Sequence, residues 1–409
     1  MSRTEQLDRP IADGREFFAA ALDPSYREDP YPVLHRFRRP EGPSMMADHL
    51  WLIARHADAA TALRSPHCTT AEHHGVLFNH AANVRTVEET VLLFREAPDH
   101  NRLRGLVMRS FTPKTVERLR TRIESLVDRQ LDDLAEHDGA AVDFVESFAH
   151  PLPVAVICEL LGVPSSDAPL FGGWSSALAA SLDPAFLRTP EADAAAFVAE
   201  RELGAYLADL FARRLGHPGE DLISSLVVAR RDDDALSDIE LTQLVMFLLI
   251  AGHETTVNLL GNAVLALSER HDLWARLRRG DAANAADELV RFDSPVHMTQ
   301  RVVLDDLQLG DVLVPAGDHL IILLGAANRD PSFAASPDML DFDRDVRNHV
   351  GFGGGIHHCL GAALARTEAD IALSRMARRF AHVELAGPVV RRPTFLLRGP
   401  SVLPVALTQ

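Results

Sequence analysis

Lysine is almost missing from this 409-residue chain: Lys114 is the only one, so arginine carries nearly all the basic charge. Alongside abundant alanine, that bias reads as codon usage in a GC-rich genome rather than as a binding adaptation. Positive charge is also in deficit overall, and a formal net charge of −17 argues against a nucleic-acid partner or docking on an anionic membrane. Cysteine is scarce. Cys68, Cys158 and Cys359 are too few and too widely spaced for a disulfide framework. Long apolar runs are lacking too; the longest, Leu244 to Ala251, is too short to cross a bilayer. The opening MSRTEQLDRPIADGREFF mixes acids with bases and holds no signal-peptide core. The expectation is a cytoplasmic protein without nucleic-acid or membrane partners. There is no repeat and no low-complexity tract, so disorder is expected only over about residues 1–15.

What is present is ordinary globular material, 47% hydrophobic and 24% charged, in a chain long enough to bury a large core. Most of it reads as helix. Residues 115–136 place Val116, Leu119, Ile123, Leu126, Val127, Leu131 and Leu134 at helical spacing with charge between them. Residues 193–214 and 262–278 repeat that pattern. Ser237 followed by Glu240 has capping-box spacing, and the pattern then runs without proline to about Arg270. Its middle, LVMFLLIAG, is apolar all round, which predicts a long helix through the centre of the molecule. Strand-like pieces are few: 50–54, 301–304, 319–324, 383–385 and 402–407. The fold expected is mainly α, a single domain over residues 1–409 with a small β-sheet region.

The strongest local signal is Phe352-Gly353-Gly354-Gly355-Ile356-His357-His358-Cys359-Leu360-Gly361. Three glycines open backbone conformations closed to other residues and let main chain approach a flat ligand. Cys359 precedes an alanine-rich helix predicted from Leu360 to about Phe380, where helix N–H groups favour a thiolate. A lone cysteine beside a glycine turn is more often a buried structural residue. A phosphate loop would need a Gly-Lys-Ser/Thr ending, which is absent. The whole run, however, resembles the haem loop of the cytochrome P450 family at every fixed position.

That resemblance extends in order along essentially the whole chain. Its implications are haem b between the central helix and the helix after Cys359, and Cys359 as the metal ligand. A thiolate on haem iron favours O–O cleavage. Glu288 and Arg291 look like the family's Glu-x-x-Arg pair, completed by Arg344, a structural device rather than a catalytic one. His100 and Arg104, one turn apart in Asp99-His100-Asn101-Arg102-Leu103-Arg104, resemble partners of the haem propionates, with Arg301 and His357 as further ones. Ala251, Phe352, Gly353 and Gly361 complete the expected cofactor contacts.

Ala251-Gly252-His253-Glu254-Thr255-Thr256 sits mid-helix, where a glycine, an acid and two threonines are poor helix-core choices. It resembles the family's oxygen-activation groove, with Glu254 and Thr255 as the catalytic acid–alcohol pair that delivers protons. A bend made by Ser/Thr back-bonding would explain the same residues without chemistry.

By alignment with the family, the substrate pocket takes Val76, Leu77, Phe78, Phe247, Ile250, Val296, His297, Leu396 and Leu397, a largely apolar lining. The resemblance thus implies a monooxygenase acting with O2 on a bulky, mostly apolar small molecule, such as a natural-product biosynthetic intermediate. No flavin, ferredoxin or dinucleotide module is visible. Electrons from NAD(P)H would therefore arrive indirectly, through a separate ferredoxin and ferredoxin reductase, on a patch including Arg102, Arg109 and Arg366. A monomer is expected. An atypical oxidation remains open, as does a non-enzymatic haem sensor, while Glu254-Thr255 argues against a peroxygenase.

Overall fold

The computed structural model describes residues 14–77, 90–137, 139–183, 188–233 and 236–409. It is mainly helical with small sheets, as the periodicity predicts. Phe78 and most of the opening segment lie outside the described residues.

Two compact units emerge, each assembled from separate stretches of chain. The first comprises residues 1–84, 284–359 and 391–398. Its frame is a five-stranded sheet in the order Ser44–Ala47, Leu50–Ile53, His319–Ile322, Thr299–Val303, Cys68–Thr69. Leu50–Ile53 runs parallel to His319–Ile322, and the other neighbours are antiparallel. Trp51, Ile53, Leu320 and Ile322 bury one face against Ala59, Ala62 and Leu63 of helix His56–Arg64. Leu52 and Ile321 point into a second cluster with Phe17, Leu34 and Phe37. This alternation is the period-two pattern of a sheet covered on both sides.

The second unit comprises residues 85–283, 360–390 and 399–409 and holds the long helices. Thr112 and Thr189 each precede a proline, and each hydroxyl accepts an N–H from three residues on, starting helices Pro113–Ala135 and Pro190–Gly216. Helix Pro113–Ala135 lies along Ala362–Arg379, where Arg375 donates to both oxygens of Asp128 at 2.8 and 2.7 Å.

The central helix is Asp238–Leu267, opened by the predicted capping box: Glu240 N–H donates to Ser237 Oγ and Ser237 N–H to Glu240 Oε2, both at 3.1 Å. It is long and apolar enough to cross a bilayer, yet 72% of its most apolar window is buried inside protein. Gly252 has a packing reason, since a Cβ there would lie 2.6 Å from Ile157 Cδ1. The predicted helix over 262–278 is split: its first part ends the central helix, and a separate helix spans His271–Arg279. The break falls at Ser268–Arg270, where the Ser268 hydroxyl donates back to the Leu265 carbonyl and Arg270 leaves the helical region at φ −129°.

Candidate active site

In the first unit, the glycine run forms a tight loop seated on helix His56–Arg64. Gly353 and Gly355 take φ values of +70° and +65°, a region that favours glycine. A Cβ on Gly355 would stand 2.6 Å from the Leu63 carbonyl oxygen, so this position is closed sterically as well. Gly353 N–H donates to Val350 O and Cys359 N–H to Phe352 O, each at 2.9 Å, folding the loop back on itself. Cys359 stands three residues before the helix, which starts at Ala362 rather than at Leu360 as predicted. The Gly361 carbonyl takes the first helical bond, from Ala365 N–H.

The three cysteines separate by environment. Burial pushes the Cys68 thiol up to about 11 and the Cys158 thiol up to about 12, so both stay protonated at neutral pH. Cys359 is the exposed one. His357, two residues earlier, places Nε2 3.3 Å from Thr70 Oγ1. Arg301 is buried on strand Thr299–Val303, one guanidinium nitrogen donating to the Gln300 carbonyl at 2.7 Å.

Four pocket candidates are brought together in this unit. Val296 and Leu397 form an isolated antiparallel bridge, and His297 N–H donates to Leu396 O at 2.8 Å. The His297 side chain, named with the pocket residues from the sequence, is buried. Its ring meets Tyr31 edge-on at 5.6 Å and packs against Gly325. Burial, reinforced by Arg398, holds its pKa down at about 3, so it is neutral. Val76 and Leu77 are half exposed, their backbone N–H groups donating to Gly317 O and His319 Nε2.

The second unit carries the other candidates. Glu254 is buried, and His253 beside it donates from Nδ1 to Leu249 O at 2.6 Å while Nε2 lies 3.6 Å from Glu254 Oε1. The Thr255 hydroxyl donates to Ala251 O at 3.0 Å, the back-bonded arrangement weighed from the sequence, and the helix continues through it. Phe247 and Ala251 are half-buried and Ile250 is buried on the same helix.

His100 is buried and Arg104 half-buried, one turn apart on helix Asp99–Met108. Arg102, on the opposite side, is tied up within the protein. It donates to Glu240 Oε1 at 2.5 Å, to Glu240 Oε2 at 3.2 Å and to Asp99 at 3.0 Å. The expected arginine patch therefore loses one of its free charges.

Two features escaped the sequence reading. Asn258, one turn past Glu254, is fully buried with neither amide atom hydrogen-bonded among the described residues, and Gly399 packs against it with no room for a side chain. In the first unit, Asp293 accepts from Tyr31 Oη at 2.9 Å and Arg398 Nε at 2.7 Å, and Arg329 stacks on the Tyr31 ring at 3.4 Å. Asp293-Ser294-Pro295 carries no local pattern that marks a buried charge cluster.

A family model described as Cytochrome P450 matches residues 283–400. The vitamin D(3) 25-hydroxylase of Pseudonocardia autotrophica is 39% identical over 387 residues, covering 93% of this chain and 91% of its own length. The 6-deoxyerythronolide B hydroxylase of Saccharopolyspora erythraea is 39% identical over 331 residues, 80% of each protein. Among solved structures, ligand-free Mycobacterium smegmatis CYP164A2 matches with a TM-score of 0.88 at 40% identity, covering 96% of this chain and 100% of that one.

These likenesses define the class as a haem-dependent oxygenase. The chain belongs to the cytochrome P450 family, and it is a monooxygenase. The family implies haem b as cofactor, O2 as co-substrate, and NAD(P)H as electron source through redox partners. The donor set fits that group: an exposed thiol at the end of a loop with three consecutive glycines, with guanidinium and imidazole groups suited to two carboxylates.

Proposed function

We propose that this protein inserts one oxygen atom from O2 into a C–H or C=C bond of a bulky, mostly apolar natural-product intermediate. The observation that carries the reading is the exposed Cys359 at the end of a loop closed by glycine geometry and by its own bond to Phe352. Bound haem supplies the oxidising chemistry, and the protein supplies binding, orientation and protons. Cys359 would hold the iron, Arg301, His357, His100 and Arg104 would bind the propionates, and Ala251, Phe352, Gly353 and Gly361 would complete the contacts to the porphyrin.

Glu254 and Thr255 act together as the proton-delivery pair. Glu254 is buried on the central helix and the Thr255 hydroxyl follows one residue further along, so a carboxyl and a hydroxyl stand next to each other for proton transfer. Substrate is gripped by Phe247, Ile250, Val296, Leu396 and Leu397, with Val76 and Leu77 after strand Cys68–Thr69 and Phe78 next to them in sequence. The substrate class is supported by this apolar lining. It is also supported by the two relatives, whose names give vitamin D(3) and 6-deoxyerythronolide B as what they hydroxylate. The electron donors are a ferredoxin and its reductase, and the enzyme works as a cytoplasmic monomer.

The test is a difference-spectrum screen of candidate polyketides, macrolides and terpenoids on purified holoenzyme, paired with Cys359→Ser. The wild type, reduced under carbon monoxide, should show the long-wavelength Soret band of thiolate ligation, and the serine variant should lose it. A wild-type band at the position of nitrogen ligation would refute the assignment.

A further inference from the structure

The second unit holds a cleft of about 650 Å³, outside the expected haem and substrate contacts and lined in part by Arg102 and Arg109 of the expected ferredoxin patch. It lies on the side of helix Asp99–Met108 turned away from His100 and Arg104. Successive residues step by about 100° around a helix, so Arg102, Leu106 and Arg109 share the cleft face while positions 100 and 104 share the opposite one. The neighbouring walls come from helices Pro113–Ala135 and Leu222–Asp233 and the end of Pro151–Leu161.

The lining is of two kinds. Arg102, Arg109 and Arg118 line it with one acid, Glu220, in a chain whose net charge is −17, and of the three Arg102 is already bonded to Glu240 and Asp99. Neither Arg109 nor Arg118 has an ion pair or side-chain hydrogen bond among the described residues. Below them, Leu160, Leu222 and Leu226 form a buried apolar floor. Arg109 and Arg118 beside an apolar, concave floor are complementary to a molecule with one charged end and a greasy body, and the volume lies in the range of small-molecule sites.

Arg102 links this cleft to the central helix. Its guanidinium lines the cavity and at the same time donates to Glu240 at 2.5 and 3.2 Å. Glu240 is buried, also receives Arg95 at 2.9 Å, and closes the capping box of Asp238–Leu267. An anion in the cleft competes with Glu240 for Arg102.

We propose that this cleft binds an amphiphilic organic anion, a carboxylate with an apolar body, and that its occupancy is transmitted through Arg102 to the cap of the central helix. A flat protein-docking patch would not need the apolar floor, which is why a small molecule is favoured over an acidic partner protein.

The probe is octanoate, titrated calorimetrically into holoenzyme whose iron is saturated with imidazole; heat that survives in Ala229→Trp is assigned to the haem pocket and subtracted. Octanol and inorganic phosphate are the comparisons. Octanoate should bind with unit stoichiometry, and both comparisons should bind at least about tenfold more weakly. Arg118→Gln, an exposed change, should weaken octanoate about tenfold, and Ala229→Trp, which fills the cleft, should abolish binding. Amide exchange over residues 238–243 should quicken on octanoate addition in the wild type and not in Arg118→Gln. Equal affinity for octanoate and octanol, or octanoate binding untouched by both substitutions, would overturn the proposal. So would a cleft that ignores octanoate while Arg118→Gln slows reduction by ferredoxin, an outcome that identifies a protein-docking surface instead.

Discussion

Arg291 and Glu288 form a two-pronged ion pair in which both side chains are entirely buried, with N–O distances of 2.6 and 2.8 Å. The pair is the centre of a clamp. The Arg291 guanidinium also donates to the carbonyls of Asn328, Pro337 and Met339 at 3.1, 2.7 and 3.1 Å. Glu288 in turn accepts from Asp341 N–H at 2.9 Å and from Arg344 Nε at 3.3 Å. From there the connection reaches the cysteine loop. The Asn328 side chain accepts from Val350 N–H at 2.8 Å, and Val350 O accepts from Gly353 N–H at 2.9 Å.

Removing one partner of such a pair leaves an uncompensated charge in the interior, which costs about 3–5 kcal/mol. Arg291→Leu should therefore lose about that much in urea unfolding and should release haem on dilution. Arg291→Lys should fare little better, because an ammonium cannot supply a planar fork to five acceptors. A lysine variant as stable as the wild type would show that charge alone suffices and that the clamp geometry is incidental.

Gly355→Ala addresses the loop itself. The substitution meets two obstacles at once, a φ of +65° and the Leu63 carbonyl oxygen 2.6 Å from the new Cβ. Strain of this kind costs of order 1–3 kcal/mol. The loop can relieve it by moving off helix His56–Arg64, which shifts Cys359. The expected result is a nearly unchanged unfolding free energy for the apoprotein but haem affinity down by about tenfold or more. Equal loss in both would mean that the glycine serves the fold and not the ligand site.

His297 sets a pH dependence that the structure fixes in sign. In the folded protein burial holds it at about 3, against about 6.5 in the unfolded chain. Between those values the unfolded state binds a proton that the folded state refuses. Stability is therefore complete above about pH 6.5 and declines as pH falls, by up to about 1.4 kcal/mol per unit. His35, His56 and His319, also lowered by burial, act in the same direction, so the test is a difference. His297→Gln should flatten the slope of unfolding free energy between pH 4.5 and 6.5, roughly the window above carboxylate titration. Asp293 does not confuse it. Its neighbours Arg398, Arg391 and Arg329 hold that carboxyl well below the usual range, so its contribution is lost only at more acidic pH. Parallel curves for variant and wild type would mean that the imidazole titrates freely in the fold.

What the sequence revealed and what it hid divide along physical lines. The capping box at Ser237 and Glu240, the central helix and the five expected strand regions rest on local rules, and they appear within a few residues of their expected bounds. The break at Ser268–Arg270 was hidden because the apolar spacing continues across it; only the backbone turn separates the two helices. The burial of His297 was hidden for a related reason. Alignment grouped it with Val296, Leu396 and Leu397, and its backbone does bond to Leu396, but side-chain direction depends on partners remote in sequence, Tyr31 and Gly325. The buried Asp293 cluster joins residues from Tyr31 to Arg398, and no window of sequence contains it. Glycine spacing around Cys359, by contrast, encodes its own geometry.

Thr255 is the residue on which the proton-delivery reading can be separated from the structural one. Its hydroxyl donates to the Ala251 carbonyl at 3.0 Å, an interaction that by itself slightly destabilises or bends a helix. If that back-bond were its whole role, Thr255→Ala would be harmless: alanine is the better helix former by a few tenths of a kcal/mol, and the helix is otherwise tightly packed. If the hydroxyl instead passes protons beside Glu254, the alanine variant should keep its fold and its substrate-induced spectral change. It should also consume NAD(P)H at a comparable rate, yet turn most of the reducing equivalents into hydrogen peroxide. Thr255→Ser, which keeps the hydroxyl, should restore most of the coupling. The quantity to measure is product formed per NAD(P)H consumed, with peroxide assayed in parallel. An alanine variant as tightly coupled as the wild type would remove Thr255 from proton delivery and leave Glu254 to act without it.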